Sequence, residues 1–258
     1  MKPLIKWSGG KYDEIKYFEK YIPEYSCYIE PFVGGGAVYF YLEPTKAIIS
    51  DVHTELIDFY TSIKNGKAQD IYNFMVQNKN TEEDYYKVRN EFNIETPLDN
   101  AKRFYYLRKT CFRGMMRYNK SGHFNIPFGK YKKINYSDLL DTKYPTLLQN
   151  TEIFNENFEY IFENFNDPSN FVFLDPPYDN IFTDYGYCKF GKEEHIKLNS
   201  FFKTTKNKCL MVICKTDFIT ELYKDYIVEE YEKKYKFKLY ANRIGNEINT
   251  KHLIIKNY

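Results

Sequence analysis

The sequence predicts an α/β protein built on a mostly parallel open sheet, and three features of its 258 residues carry that expectation. Short apolar runs end in glycine or aspartate and are followed by helix-forming stretches, the alternation that builds βαβ units. A long helical and turn-rich stretch then divides two strand-rich parts, which marks an insertion into the sheet. The composition, with 43% hydrophobic and 28% charged residues, is globular. At roughly 100 to 200 residues per domain, the length fits one large domain carrying such an insertion. We place the two parts of the sheet domain at residues 1–60 and 146–258, and the insertion at 61–145.

Taken in order, Cys27-Tyr-Ile-Glu-Pro-Phe-Val33 reads as a buried strand, Gly34-Gly-Gly36 as a turn and Ala37 to Leu42 as a short helix. Lys46-Ala-Ile-Ile-Ser50 is a second strand ending at Asp51, after which Thr54 is expected to cap a helix that closes at Asn65-Gly66. Within the insertion, Tyr118-Asn-Lys-Ser-Gly-His-Phe-Asn125 has the length and the Gly122 turn of a hairpin whose arms could enter a DNA groove. Strands follow at Asn170–Leu174, at Cys209–Cys214, at Tyr226–Lys238 in two halves, and at His252 to Tyr258.

Several function classes drop out. No apolar run is long enough to span a bilayer, and Met1-Lys-Pro-Leu-Ile-Lys-Trp7 lacks the apolar core of a secretory signal, so a soluble, non-membrane protein of the cytoplasm is expected. Five cysteines without a Cys-x-x-Cys pair suggest neither a disulfide framework nor a zinc cluster. His53, His123, His195 and His252 offer no compact ligand spacing, so no metal is expected. The formal charge is +2, yet residues 101–136 hold ten of the 37 Lys and Arg and no acid. Interleaved with Phe104, Tyr105, Tyr106, Phe112, Tyr118, Phe124, Phe128 and Tyr131, these cations suit phosphates and bases. A solvated basic helix face followed by a basic loop is the competing interpretation.

Asp175-Pro176-Pro177-Tyr178 is the most informative tetrapeptide. Two prolines cannot continue a ladder, so the strand ends there, at the carboxyl edge where open α/β sheets bind ligands. A carboxylate and a nearby carbonyl can accept both hydrogens of an exocyclic amine on a planar base while the tyrosine stacks on the ring. That arrangement orients a weak nucleophile and stabilises the positive charge it develops during direct methyl transfer. Pro31-Phe32-Val-Gly34-Gly-Gly36 admits a ligand close to the backbone. It is neither a dinucleotide fingerprint, since Tyr39 stands at the third glycine, nor a P-loop. Asp51 is placed to accept two ribose hydroxyls, although an ordinary helix-terminal acid would look the same. Lys6-Trp7-Ser-Gly-Gly-Lys11 sets an aromatic and two cations around a glycine turn.

With these four motifs in this order, the chain resembles the Dam-type, alpha-class adenine-N6 DNA methyltransferases nearly end to end, and Arg117 to Gly129 resembles that family's recognition hairpin. The resemblance implies a Rossmann-like sheet of the class I methyltransferase type with an inserted helical and β-hairpin target-recognition domain. It implies S-adenosylmethionine as donor, bound by Trp7, Lys11, Pro31, Phe32, Gly34, Gly36, Asp51, Phe158 and Asp175, with Asp175, Pro176, Pro177 and Tyr178 catalytic on an adenine flipped out of double-stranded DNA. Phe112 matches an inserted aromatic, Met115, Arg117 and Pro127 match base-reading positions, Lys6 matches a contact at the edge of the site, and Arg113 and Asn119 lie in the same DNA-binding segment. Arg113 stands where GATC-reading members carry asparagine, and Met115 where they carry leucine, so GATC is a candidate site only. Such enzymes occur in bacteria, phages and large viruses, in some cases beside an independently acting restriction endonuclease. A catalytically silent DNA-binding regulator and a methyltransferase acting on RNA or a protein amide remain the alternatives.

Overall fold

The computed structural model describes residues 1–119, 121–179, 190–235 and 248–258. Its strands are β1 (Cys27–Glu30), β2 (Ala47–Ser50), β3 (Thr151–Phe154), β4 (Asn170–Leu174), β5 (Lys208–Cys214), β6 (Ile227–Tyr235) and β7 (Ile248–Lys256). They form one sheet in the order β3-β2-β1-β4-β5-β7-β6, parallel except that β7 runs against both of its neighbours. This is the mostly parallel sheet expected, with one antiparallel strand near its edge.

Side chains alternate across the sheet, so each strand feeds two cores. Tyr28, Phe171, Phe173, Leu210, Val212 and Ile254 join one core with α1 (Ile15–Phe18), α2 (Ala37–Leu42) and α3 (Thr54–Lys64). Ile29, Val172, Leu174, Met211, Ile213, Leu253 and Ile255 join the other, with α8 (Phe158–Asn164), α9 (Lys192–Thr204) and α10 (Asp217–Tyr223). Between β2 and β3 the chain adds α4 (Ala68–Gln77), α5 (Glu82–Glu91), α6 (Pro97–Thr110) and the hairpin, then α7 (Lys143–Gln149). Helix α6 packs on α3 through the stacked rings of Phe59 and Tyr105, 5.2 Å apart, and its buried apolar residues belong to the first core.

Three local expectations change. The first strand stops at Glu30, because Pro31 opens the glycine turn that the sequence reading had counted partly as strand. Helix α3 is capped by His53, whose ring accepts the Leu56 N–H, while Thr54 is already helical. The stretch from Tyr226 forms one strand with a register shift between Ile227 and Glu229 rather than two halves, and residues 236–238 lie outside the described residues. The hairpin is present: Tyr118 bridges Phe124, Asn119 N–H donates to His123 O at 2.9 Å, and Gly122 takes φ +76°.

Candidate active site

The order of strands reverses between β1 and β4, which creates a crevice beyond their carboxyl ends. There the Pro31–Gly36 loop and Asp175 become neighbours, because Ile29 pairs with Val172 in register. A cavity of about 310 Å³ opens at this point, within the usual size range of small-ligand sites. Trp7, Lys11, Pro31, Phe32, Gly34, Asp51, Phe158, Asp175, Pro176, Pro177 and Tyr178 all line it, so the sequence-derived set converges on one place. Gly36 does not line it. It caps α2 at φ +66°, and a Cβ there would lie 2.9 Å from the Phe40 ring, so its role is the turn itself.

The Lys11 ammonium organises one end of the cavity. Although only 1% exposed, it donates to Asp175 Oδ1 at 2.5 Å, to the Tyr178 hydroxyl at 2.9 Å and to the Gly9 carbonyl at 3.0 Å. One buried cation therefore fixes both functional groups of the Asp-Pro-Pro-Tyr turn. Burial raises the Asp175 carboxyl above its usual range, with Lys11 opposing, so a donor or cation entering the cavity favours the ionised form. Glu30, also in the wall, is pushed up to about 8 by burial, while the Tyr28 hydroxyl donates to it at 2.8 Å. Burial thus favours its protonated form, which spares the cavity a further negative charge beside Asp51 and Asp175.

Asp51 lies at the end of β2. Its Oδ2 accepts the Gly34 N–H and its Oδ1 the His53 N–H, both at 3.0 Å, which locks the carboxylate against the glycine loop. Burial raises it to about 6 despite these bonds. The rings of Phe32, Phe158 and Phe190 form a trio with centroids 5.6 to 5.8 Å apart, an apolar wall of the cavity against which a planar ring can pack. Trp7 closes the glycine loop so tightly that a Cβ on Gly34 would come within 2.6 Å of its indole nitrogen. An aromatic wall, a carboxylate held by backbone donors and a glycine-lined floor fit a nucleoside carrying a positively charged sulfur.

Other sequence-derived residues gather outside the cavity. Phe112 and Arg113 are exposed, with the Arg113 guanidinium over the Phe112 ring at 5.2 Å and its backbone held at φ +56°. Lys6 is exposed beside Gly114, Pro127 is exposed, and Arg117 is exposed with its Nε donating to Asn125 Oδ1 at 2.8 Å. Met115 is half-buried against the core. The Asn119 carboxamide oxygen accepts the N–H groups of Ser121 and His123, which makes this residue a builder of the hairpin turn. The broader aromatic–basic expectation needs correction. Phe104, Tyr105, Tyr106 and Phe124 are core residues, and Arg108 is buried over the Trp7 ring at 5.4 Å. The face that α6 turns inward was decided by its packing on α3 and α4.

Sequence reasoning missed Glu30, Phe190, Glu14 and His252. Glu14 is 2% exposed, with Tyr231 and Lys233 donating to it at 2.6 and 2.7 Å and the ring nitrogen Nδ1 of buried His252 2.7 Å away. His252 in turn meets the Tyr178 ring edge-on at 5.5 Å, so this cluster buttresses the Asp-Pro-Pro-Tyr turn from behind. The only sequence signal was an acidic residue three places after Lys11.

Comparison with known proteins agrees with this architecture. The chain is 60% identical to the type II methyltransferase M.CviBI of Paramecium bursaria Chlorella virus NC1A, over 100% of both chains. It is 35% identical to the type II methyltransferase M.MjaIII of Methanocaldococcus jannaschii, across 89% of this chain and 90% of that one. To the DNA adenine methylase of Escherichia coli K12 it is 32% identical, across 76% and 74%. Residues 7–239 match the profile of one family, and the chain therefore belongs to the D12 class N6 adenine-specific DNA methyltransferases.

Proposed function

We propose that the chain methylates N6 of an adenine within a short specific site of double-stranded DNA, taking the methyl group from S-adenosylmethionine. The observation that carries this reading is the Lys11 ammonium holding Asp175 and Tyr178 together at the lip of the cavity. When bound, the cofactor supplies a methyl group made electrophilic by its sulfonium. Phe32, Phe158 and Phe190 would hold its adenine ring, Asp51 its ribose hydroxyls, and Trp7, Gly34 and the rest of the glycine loop would close around it.

The remaining chemistry belongs to the protein. Asp175 and the carbonyl of Pro176 accept the two N–H hydrogens of the target amine, which directs its lone pair toward the methyl group and stabilises the charge developing on nitrogen. Tyr178 stacks on the base, which must leave the duplex to reach it. Phe112, exposed at the turn beside Lys6, fills the gap so created, and Arg117 reads a base edge. The sheet parts at 1–60 and 146–258 then act as the catalytic unit and 61–145 as the recognition unit. The type II designation of the relatives extends to this chain the proposal that its mark shields a site from a separate endonuclease. No helix among the described residues is long and apolar enough to cross a membrane.

Transfer of labelled methyl from S-adenosylmethionine to duplex DNA tests the assignment. Asp175→Asn preserves size and an oxygen for Lys11, so the expected result is a loss of about 10² to 10³ in kcat with stability and donor binding retained. Wild-type turnover in that variant contradicts the role given to Asp175, and absence of transfer by the wild-type protein favours a silent DNA-binding regulator.

A further inference from the structure

A chain of hydrogen bonds runs from the wall of the cavity to the hairpin. Asp51 Oδ1 accepts the His53 N–H at 3.0 Å. His53 caps α3 with Nδ1, which accepts the Leu56 N–H at 3.2 Å, so its ring proton resides on Nε2. That Nε2–H donates to the Tyr118 hydroxyl at 2.9 Å, and the hydroxyl donates onward to Glu55 Oε2 at 2.5 Å. Arg103, from α6, holds Glu55 Oε1 at 3.2 Å. Burial, with the charge of Arg108 adding to it, lowers His53 to about 3, so the ring stays neutral and the direction of each bond is fixed.

Tyr118 belongs to the hairpin arm, and its neighbour in sequence is Arg117. Successive residues of an extended arm point to opposite sides, so anchoring Tyr118 inward determines how Arg117 is presented outward. A second link runs in parallel. Trp7, which packs on Gly34, meets the His53 ring edge-on at 5.7 Å and carries the Arg108 guanidinium at 5.4 Å. Arg108 also donates to the Lys6 carbonyl.

We propose that Tyr118 is a positioning residue through which occupation of the donor pocket aligns the hairpin arm bearing Arg117, by way of Asp51, His53 and Glu55. This rests on the methyl-transfer reading above. A ligand hydroxyl arriving at Asp51 competes with the His53 N–H for the same carboxylate and shifts the turn between residues 51 and 53. The Tyr118 and Glu55 groups follow, because a half-buried hydroxyl and carboxylate left without partners are costly. Linkage is reciprocal, so a hairpin seated on DNA equally tightens the donor pocket.

The test is amide hydrogen exchange of the full-length protein with and without S-adenosylhomocysteine, read at Asn119 and Asn125, whose N–H groups close the hairpin onto His123 and Arg117. In the wild type the ligand is expected to slow exchange at both by about fivefold or more, the low end of coupling between linked sites. Tyr118→Phe removes the hydroxyl. His53→Asn serves as a second variant that keeps a good helix cap but cannot reach Tyr118. Both should lose the ligand-induced protection while calorimetry shows affinity for S-adenosylhomocysteine within about threefold of wild type. Protection that persists in either folded variant overturns the proposal, as does a wild-type protein that binds the ligand without protecting the hairpin. A Tyr118→Phe variant that loses ligand affinity outright also overturns it, by making Tyr118 part of the pocket itself. A wild-type protein that binds no S-adenosylhomocysteine sinks the methyl-transfer reading first and the coupling with it.

Discussion

Replacing Gly34 by alanine probes the tightest contact of the donor pocket. Gly34 has φ +46°, a left-handed conformation that costs a residue with a Cβ about 1–2 kcal/mol. The added methyl would stand 2.6 Å from Trp7 Nε1 and 2.7 Å from Cδ1. That is about 1 Å short of the separation two heavy atoms prefer. The Gly35 backbone lies close against Trp7, and Arg108 and His53 flank the indole, which limits its retreat. Overpacking of this kind adds about 1–3 kcal/mol, for a total of about 2–5 kcal/mol. If the loop moves instead of the ring, Gly34 loses its bond to Asp51 and the pocket loses its alignment. Calorimetry should therefore show a melting point lower by about 10 °C. Titration with S-adenosylhomocysteine should show affinity reduced at least about tenfold. In the double variant Gly34→Ala/Trp7→Ala the steric part disappears, and the cost of the alanine shrinks to the backbone share of about 1–2 kcal/mol. An alanine variant that melts and binds like the wild type refutes the claim that the Trp7–Gly34 contact shapes the pocket.

Three other outcomes are expected. Asp51 is raised to about 6 by burial, and in the proposed role it would accept ribose hydroxyls as a carboxylate, so affinity for S-adenosylhomocysteine should fall as pH drops through 6, and Asp51→Asn should remove the dependence centred there; an identical pH profile in the variant excludes the assignment. For Glu14, burial alone would raise the carboxyl, but His252, Lys11, Lys233 and Tyr231 together hold it at about 2 against an ordinary 4.5. Its contribution of about 3 kcal/mol should be complete above pH 4.5 and vanish between there and pH 2. Urea unfolding of Glu14→Gln should show that acid dependence flattened. Arg117→Ala should weaken or relax recognition at one base by about 1–3 kcal/mol, seen by mapping modified adenines in a randomised duplex pool; an unchanged site preference argues against a base contact.

Much of the sheet was legible because β1, β2, β4 and β5 are dense apolar runs bounded by Pro31, Asp51, Asp175 and Lys215, where the apolar pattern breaks. The site was legible for a related reason: glycine turns and acids at those ends collect at one edge once the strands lie parallel. Strand β3 carried no such signal, since it is four residues long with Glu152 exposed and Ile153 and Phe154 half-buried. Position in an amphipathic pattern also failed for Phe104, Tyr105 and Tyr106, three consecutive aromatics that can point outward only in part and are all buried. Phe59 of α3 packs on Phe104 and Tyr105, Phe74 of α4 meets Tyr106, and nothing local to residues 97–110 announces either helix. The buried pair of Glu14 and His252 joins opposite ends of the chain, and single-sequence patterns do not register contacts at such separation.

Strand β7 has a consequence for biosynthesis. It occupies the slot between β5 and β6, and through His252 it reaches the Glu14 cluster behind Lys11. A nascent polypeptide emerging from the ribosome can close most of its parallel strands early, yet the support beneath its reactive turn is missing until residue 256 has been released. The turn thus gains its backing only after every other strand of the sheet has been made, and a polypeptide cut before His252 would lack it.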